Sequence, residues 1–379
     1  KIKEIFQQID RKELSAAGES VKALSKTSEK LPRSWLMKQA NALCNQDFSN
    51  LSEGFTRLEF IGKDGYFLLI APHTMKRSGV DNSTITGIYG RILPINESEL
   101  RQSLQSEVFQ LFDTQLEAIP NILSFKSLLT VGNTGEENGE AFITPNSWNI
   151  PESYKGPALN DMEEQRKRTL SSAQRCVETI FESESAHLLS APLESHQGSY
   201  NRHKEYLLHE VGHLTGQGLG EKIKQELFPC YWYGAVEEFR ADGIEFELAL
   251  RTLCRQKAGE LIATNLFIRF GIDAHRLGKR DQDADVNSSL LCLDRLFTSD
   301  AIYITKQGKL ALRETTYEGL SLSVDYHSTE ALNLTRRELN LQYPSGLFHL
   351  YSVEVQPSSI AIFNALVVEQ CEGLWTSLP

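Results

Sequence analysis

The sequence lacks a long hydrophobic run and a surplus of positive charge. No segment approaches the roughly 20 consecutive apolar residues of a membrane-spanning helix, so we expect no membrane span. The 39 Lys and Arg residues are outnumbered by 50 Asp and Glu residues, giving a formal net charge of −11. This balance argues against a nucleic-acid partner, because a nucleic-acid groove needs clustered basic side chains that displace counterions.

Closely spaced cysteines are also missing. The six cysteines form no CxxC pair, which excludes a zinc site made of cysteines alone. Free, mostly buried thiols in a reducing compartment are the simplest interpretation, and the even number of cysteines leaves disulfides as the alternative. We therefore expect a cytoplasmic protein, with secretion left open because a removed signal peptide leaves no trace. The oligomeric state cannot be read from the sequence.

The hydrophobic pattern predicts an α+β protein that is predominantly helical. Residues 1–50 show apolar residues at helical spacing, whereas residues 55–95 have short apolar runs broken by glycines, which is typical of strands and turns. Helical spacing returns at 98–119 and 163–181 and again over 236–270. In the C-terminal part, Ala301–Thr305 and Leu320–Val324 resemble strands.

The domain organisation is predicted from the polar loop Gly132–Gly139, a plausible lobe boundary. We expect an N-terminal lobe over 1–145, a helical catalytic region over 146–299, and a mixed region over 300–379 that packs on the catalytic lobe. Two lobes would flank a cleft.

A metal-binding motif lies in the segment EYLLHEVGHLTG. His209 and His213 are four residues apart, so on a helix both imidazoles lie on one face and can reach one tetrahedral ion. Glu210 lies where a carboxylate can take a proton from an activated water. Gly212 costs about 1 kcal/mol in a helix interior relative to alanine, which indicates that another segment packs closely there.

A third ligand is available in the downstream segment AVEEFRADGIEFELAL, which reads as a helix. Glu238 would complete the three protein ligands that a catalytic zinc takes. Asp242, one turn later, could accept the free ring N–H of one ligating histidine, and Glu237 could serve the other. The alternatives are a chance match to HExxH and a solvated acidic helix, and the two segments together argue against both.

These two segments resemble the dipeptidyl-peptidase III family of zinc exopeptidases, which carries an HExxH or HExxGH helix followed by an EExRA(E/D) helix. The resemblance covers about Trp148–Leu293 and implies a helical zinc-binding lobe of the HExxH gluzincin type. By position, it implies one zinc ion held by His209, His213 and Glu238, with Glu210 as general base.

Further residues follow from the resemblance alone. The segment FIRFGIDAHRLGKR implies that His275 steadies the transition state and that Lys279 or Arg280 supplies a basic group. The segment NIPESYKGPALND implies a substrate-holding asparagine, either Asn149 or Asn160. An assisting tyrosine would be Tyr66 or Tyr89. Full family members are longer than 379 residues, so part of the peptide-holding lobe would be missing or rebuilt.

The function predicted from these features is a zinc-dependent metallopeptidase that acts on short peptides in the manner of a dipeptidyl peptidase. One alternative is another zinc protease, such as a secreted effector endopeptidase. The other is a non-catalytic peptide-binding protein that keeps zinc as a structural ion, and a closed fourth coordination position would favour it.

Overall fold

The structure, a computed structural model, describes residues 1–49, 51–77, 80–95, 97–116, 119, 121–131, 142–143, 158–216, 231–275, 284–340, 355–371 and 374. Its contacts divide the chain into two units. The first comprises Lys1–Asn96, Pro120–Gln165 and Leu378–Pro379, and the second comprises Glu97–Ile119 and Arg166–Ser377. None of the described helices combines the length and apolar character needed to cross a membrane.

The first unit packs helices on both faces of a small sheet. Its elements are α1 (Ile2–Asp10), α2 (Leu14–Ser25), α3 (Arg33–Asn45), α4 (Leu51–Thr56), β1 (Tyr66–Arg77), β2 (Val80–Ile92), β3 (Ile122–Val131), β4 (Phe142–Ile143) and β5 (Ala158–Asp161). The strand order is β1-β2-β3-β5-β4. Only the β3–β5 pair is parallel among these strands.

Both faces of β1 are buried. Leu68 and Ile70 join one apolar cluster with residues of α1, α2 and α3, while Phe67 and Leu69 join another with Phe60. Side chains alternate between the two faces of a strand, so an unbroken apolar run is what a doubly covered strand requires. The strand character predicted for 55–95 is confirmed over β1 and β2.

The edge of the sheet at β1 is closed by side chains of α3. Trp35 Nε1 and Gln39 Nε2 both donate to the Leu68 carbonyl, at 2.8 and 2.9 Å. Gln39 Oε1 accepts from the Ile70 amide at 2.5 Å. Exposed strand edges invite pairing with other chains, and here buried side chains satisfy the edge groups instead.

The second unit contains the helices predicted to carry the chemistry. Its elements are α5 (Ser98–Phe112), most of α6 (Met162–Ile180), α7 (Ser183–Glu194), α8 (Gly198–His213), α9 (Tyr231–Thr252), α10 (Arg255–Gly271), a 3₁₀ turn (Asp273–His275), α11 (Ala284–Thr298), β6 (Ile302–Ile304), β7 (Leu310–Leu312), α12 (Tyr317–Ser323), α13 (Asp325–Leu339), α14 (Pro357–Ile362) and a π-helical segment (Phe363–Glu369). The predicted α+β class with mostly helical content is confirmed.

The core of this unit surrounds α10, in which every residue from Leu261 to Gly271 is buried. Ile302, Leu310 and Leu312 of the small β6–β7 hairpin belong to the same core. Residues 97–119 group with this unit, although the predicted N-terminal lobe, residues 1–145, includes them. The domain boundaries themselves stay a prediction, and the loop Gly132–Gly139 lies outside the described residues.

The strand predicted at Leu320–Val324 is wrong, because this segment is largely the helix α12. The alternation in LSLSV favours a strand by period, but Thr316 accepts a hydrogen bond from the Gly319 amide and caps a helix. Leu320 and Ser321 are then fully buried. The cap and the burial together outweigh the local pattern.

A test of the sheet edge is the substitution Gln39→Leu. It keeps the size of the side chain but leaves the buried Ile70 amide without its acceptor, so we expect the free energy of unfolding in urea to fall by about 1–3 kcal/mol. Gln7→Leu, at an exposed position of α1, should change it by less than about 0.5 kcal/mol. Equal effects would show that Gln39 does not stabilise the edge.

Candidate metal centre

Helix α8 places His209 and His213 on one face, as its periodicity predicts. Their Nε2 atoms are 3.1 Å apart and their ring centroids 4.7 Å apart. Leu207, Leu208 and Val211 are completely buried. These apolar residues hold the helix in the core and fix the direction of the two imidazoles.

Helix α9 crosses α8 at very short range. A Cβ added at Gly212 would lie 2.6 Å from the Ala241 carbonyl oxygen and 2.9 Å from its Cα. The close approach predicted for Gly212 is thereby confirmed. Because the two backbones nearly touch here, side chains of α9 one turn before Ala241 can reach the histidines.

Glu238 of α9 is the side chain that meets both rings. Its Oε2 lies 3.3 Å from His209 Nε2, and its Oε1 lies 3.5 Å from His213 Nε2. Ligand atoms around a tetrahedral cation with bonds of about 2.0–2.1 Å are separated by about 3.3–3.4 Å. The distance of 3.1 Å between the two Nε2 atoms is close to this separation, and each ring has one Glu238 oxygen at a similar distance, 3.3 or 3.5 Å.

Two acids of the same helix hold the outer nitrogens of the rings. Asp242 Oδ1 is 2.9 Å from His209 Nδ1, and Glu237 Oε1 is 3.2 Å from His213 Nδ1. Burial by itself lowers the pKa of His209, but its hydrogen bonds with Asp242 and Glu238 outweigh this effect and raise that pKa well above its usual value. The acids therefore favour a positive charge at this position, and a bound cation would supply one in place of the ring proton.

Arg269 of α10 is a site residue that was not predicted from the sequence. It donates to both oxygens of Asp242, at 2.7 and 2.8 Å, and to Glu238 at 3.1 Å. It also donates to Asp273 at 2.8 Å. The sequence signal that could have indicated it is an arginine in the apolar segment FIRFG, because an arginine in a buried helix requires acidic partners.

The buried charges shift the titration of these groups. Burial by itself raises the pKa of Asp242, but the charge of Arg269 and the hydrogen bond with His209 outweigh it and hold the pKa well below its usual range. The same holds for Glu238: burial raises its pKa, but the two histidines and Arg269 lower it by more, so the pKa lies well below its usual range. Both carboxylates are therefore ionised at neutral pH.

Arg240, the arginine of the EEFRAD segment, is fully buried and fixes the other acid. It donates to Glu237 at 2.6 and 2.9 Å and to the Gly212 carbonyl at 3.2 Å. It also donates to Thr215 at 2.9 Å. A single guanidinium thus joins the end of α8 to the acid that contacts His213.

Glu210, the predicted general base, is half-buried and follows His209 on α8. Tyr206, one turn earlier, shares a hydrogen bond with it; burial and the charge of Glu210 raise the pKa of Tyr206 well above its usual value. The phenol therefore keeps its proton and donates a hydrogen bond to the carboxylate of Glu210. Tyr206 was not predicted, although its i, i+4 spacing to Glu210 could have indicated the contact.

The structure places His275 in a different environment. Its Nε2 lies 2.9 Å from the Phe270 carbonyl oxygen, and it lies close to the thiols of Cys176 and Cys371. Its role in steadying a transition state stays a prediction.

The remaining predicted residues are not part of the described metal-binding group. Asn160 is fully buried in β5, and Tyr66 and Tyr89 stack on each other with centroids 6.1 Å apart, all in the first unit. Asn149, Lys279 and Arg280 lie outside the described residues.

Comparison with known proteins gives a family and a fold. The model of DUF6014, a family of unknown function, matches residues 1–262. Two solved structures are similar over most of the chain, both at 15% identity. The dipeptidyl-peptidase III structure from Caldithrix abyssi has a TM-score of 0.64 over 96% of this chain and 70% of that one. The one from Corallococcus sp. strain EGB has a TM-score of 0.55 over 94% and 67%. No curated protein matches. At this identity the likeness shows a fold like that of dipeptidyl-peptidase III.

The close crossing of α8 and α9 can be tested with Gly212→Ala. Helix propensity alone would stabilise the protein by about 1 kcal/mol, but the new methyl group meets backbone atoms of Ala241 that cannot rotate away. We expect a net loss of about 1–3 kcal/mol in unfolding free energy. Ser171→Ala, at an exposed position of α6, is the control and should change it by less than about 0.5 kcal/mol. A more stable Gly212→Ala protein would contradict the packing.

The charge balance can be tested with Arg269→Met. Removing this buried cation leaves Asp242 and Asp273 uncompensated, so we expect a loss of about 3–5 kcal/mol. Unfolding would be followed in urea with a chelator present, so that bound metal does not contribute. Arg251→Met removes a partly exposed ion pair with Glu247 and should cost less than about 1 kcal/mol. Similar losses would argue against Arg269 as the central counter-ion.

Proposed function

The chain belongs to DUF6014, a family of unknown function, and from the site of this member we propose that it is a zinc-dependent metallopeptidase hydrolysing short peptides. The observation that carries the proposal is the convergence of three ligands: the Nε2 atoms of His209 and His213 are 3.1 Å apart, and the two oxygens of Glu238 lie 3.3 Å from one ring and 3.5 Å from the other.

The donor set fits zinc by its chemistry as well as its dimensions. Two imidazole nitrogens and one carboxylate are a ligand set of catalytic zinc sites, in which three protein ligands leave a position for water. Asp242 and Glu237 orient the two rings through Nδ1, as the outer partners of zinc-bound histidines commonly do. Cys-rich structural sites use a different set of donors, so the chemistry favours catalysis over a structural ion.

The reaction needs a water that loses a proton at neutral pH. When bound, zinc lowers the pKa of a coordinated water toward about 7 and polarises a carbonyl oxygen. Glu210, next to His209 in the chain, accepts the proton from the water and can later deliver it to the leaving amine. Tyr206 holds the carboxylate of Glu210 through its phenol proton, which limits the rotamers available to the base.

The substrate class rests on the fold. The two similar structures are dipeptidyl peptidases, and this likeness supports a peptide substrate and the release of dipeptides from a free N-terminus. The family resemblance implies Lys279 or Arg280 as a basic group and Asn149 or Asn160 as a contact of the peptide backbone. It also implies His275 as an oxyanion partner, a role with which the contacts of its ring to the Phe270 carbonyl and two cysteines compete. An endopeptidase with the same metal centre would cleave peptides whether or not the N-terminus is blocked.

The proposal predicts that metal content and hydrolysis separate in two variants. Glu210→Gln should keep zinc but lose about 10²–10⁴-fold in rate, since it removes the proton acceptor and leaves the ligands intact. His213→Ala should lose both zinc and activity. Zinc would be measured by mass spectrometry, and cleavage with a peptide library in free and N-terminally blocked forms.

Glu184→Gln is the matched control, an exposed glutamate of α7 that should leave both quantities unchanged. Zinc retained with equal cleavage by the native and Glu210→Gln proteins would overturn the catalytic role of Glu210. Zinc retained with no cleavage of any peptide by the native protein would favour the non-catalytic peptide-binding alternative. Cleavage of blocked peptides would identify an endopeptidase.

A further inference from the structure

Three side chains from distant parts of the chain converge in the core of the second unit. Cys176 lies in α6, His275 ends the 3₁₀ turn after α10, and Cys371 follows the π-helical segment. A sulfur atom from each cysteine and a ring nitrogen of His275 all lie within 4.8 Å of one another. None of these three residues belongs to the group formed by His209, His213 and Glu238.

The contact between His275 and a backbone carbonyl fixes which of its two ring nitrogens can bind a metal. Nε2 lies 2.9 Å from the Phe270 carbonyl oxygen; this oxygen can only accept a hydrogen bond, so Nε2 carries the proton and is the donor. In the neutral ring the lone pair is then on Nδ1. Metal-binding histidines are commonly fixed in this way, with the second nitrogen donating to a backbone carbonyl.

The two thiols are almost fully buried, with relative exposures of 0% for Cys176 and 1% for Cys371. The Cys371 thiol lies 3.7 Å from the Cys176 carbonyl oxygen. A buried cysteine often acts only as a small apolar side chain. Cys292 in the same core is an example, because among the described residues it is part of no group that could bind a metal. What distinguishes Cys176 and Cys371 is that their sulfurs meet each other and an imidazole.

We propose that Cys176, His275 and Cys371 form a second metal site that binds a thiophilic d¹⁰ cation, Zn²⁺ or Cu⁺. Thiolate sulfur and imidazole nitrogen are the donors that both cations prefer. Binding replaces the two thiol protons, which pass to solvent. Three donors suffice for Cu⁺, whereas Zn²⁺ requires a fourth ligand such as water.

The site would hold the C-terminal segment against α6 and the end of α10. It would also occupy both nitrogens of His275, one by the metal and one by the Phe270 carbonyl. His275 could then not donate a hydrogen bond to an oxyanion, so this site and the role implied by the family resemblance exclude each other. The proposal does not depend on peptidase activity.

The test uses Co²⁺ as a spectroscopic probe of the full chain, prepared metal-free and reduced. Thiolate ligands give Co²⁺ an intense near-ultraviolet charge-transfer absorption, and the His209, His213 and Glu238 site contains no sulfur. We expect this absorption in the native protein and in His213→Ala, with about one equivalent bound through thiolate. Titration with Zn²⁺, and separately with Cu⁺ under anaerobic conditions, should abolish it, and the cation that does so at lower free concentration is the preferred one.

Cys371→Ala should lose the absorption, while Cys292→Ala, which removes a thiol of equal burial from the same core, should keep it. If Cys371→Ala misfolds, Cys176→Ala is measured in its place and should lose the absorption for the same reason. Absence of the absorption in the native reduced protein would overturn the proposal. So would a Cys176–Cys371 disulfide, detected by intact mass after isolation under reducing conditions. Loss of the absorption in His213→Ala but not in Cys371→Ala would also contradict it.

Discussion

The contact between α8 and α9 at Gly212 is the constraint on which the candidate metal centre depends. The Gly212 position leaves no room for a Cβ in front of the Ala241 carbonyl, so the two helices cross with backbones in contact. This distance lets one short carboxylate, Glu238, reach both imidazoles of α8. A wider crossing would move the acids of α9 away from the histidines.

Around that crossing the structure concentrates negative charge and balances it only in part. Four acidic side chains here are at least partly buried: Glu237, Glu238, Asp242 and Asp273. Among the described residues, Arg240 donates hydrogen bonds to the first of them and Arg269 to the other three. Burying ions is costly unless they are paired and fully hydrogen bonded. A divalent cation between the histidines would bring the local charge closer to zero, so the electrostatics and the ligand geometry point to the same occupant.

His275 shows how a motif and a tertiary environment can imply different chemistry for one residue. The family resemblance gives it a role beside the substrate, whereas the structure surrounds it with two thiols and the Phe270 carbonyl. A ring nitrogen that carries a proton can donate one hydrogen bond, and a ring nitrogen with a lone pair can bind one metal ion or accept one hydrogen bond. The cobalt spectrum separates the two roles because only one of them involves sulfur.

The sequence by itself determined the local parts of this protein. Apolar spacing predicted the helices at the N-terminus and around the HEVGH segment, and the four-residue spacing put His209 and His213 on one face, because a helix repeats every 3.6 residues. The pattern also supplied Glu237, Glu238 and Asp242 as candidate partners and indicated a close approach at Gly212. Local pattern failed at Leu320–Val324, where a cap at Thr316 and burial made a helix from an alternating segment.

Only the tertiary structure decided that Asp242 meets His209, that Glu237 meets His213, and that Arg269 joins Asp242 to Glu238. It alone brought Cys176, His275 and Cys371 together. Such contacts depend on how helices pack across long stretches of chain, and packing leaves no period or spacing in the sequence from which they could be read.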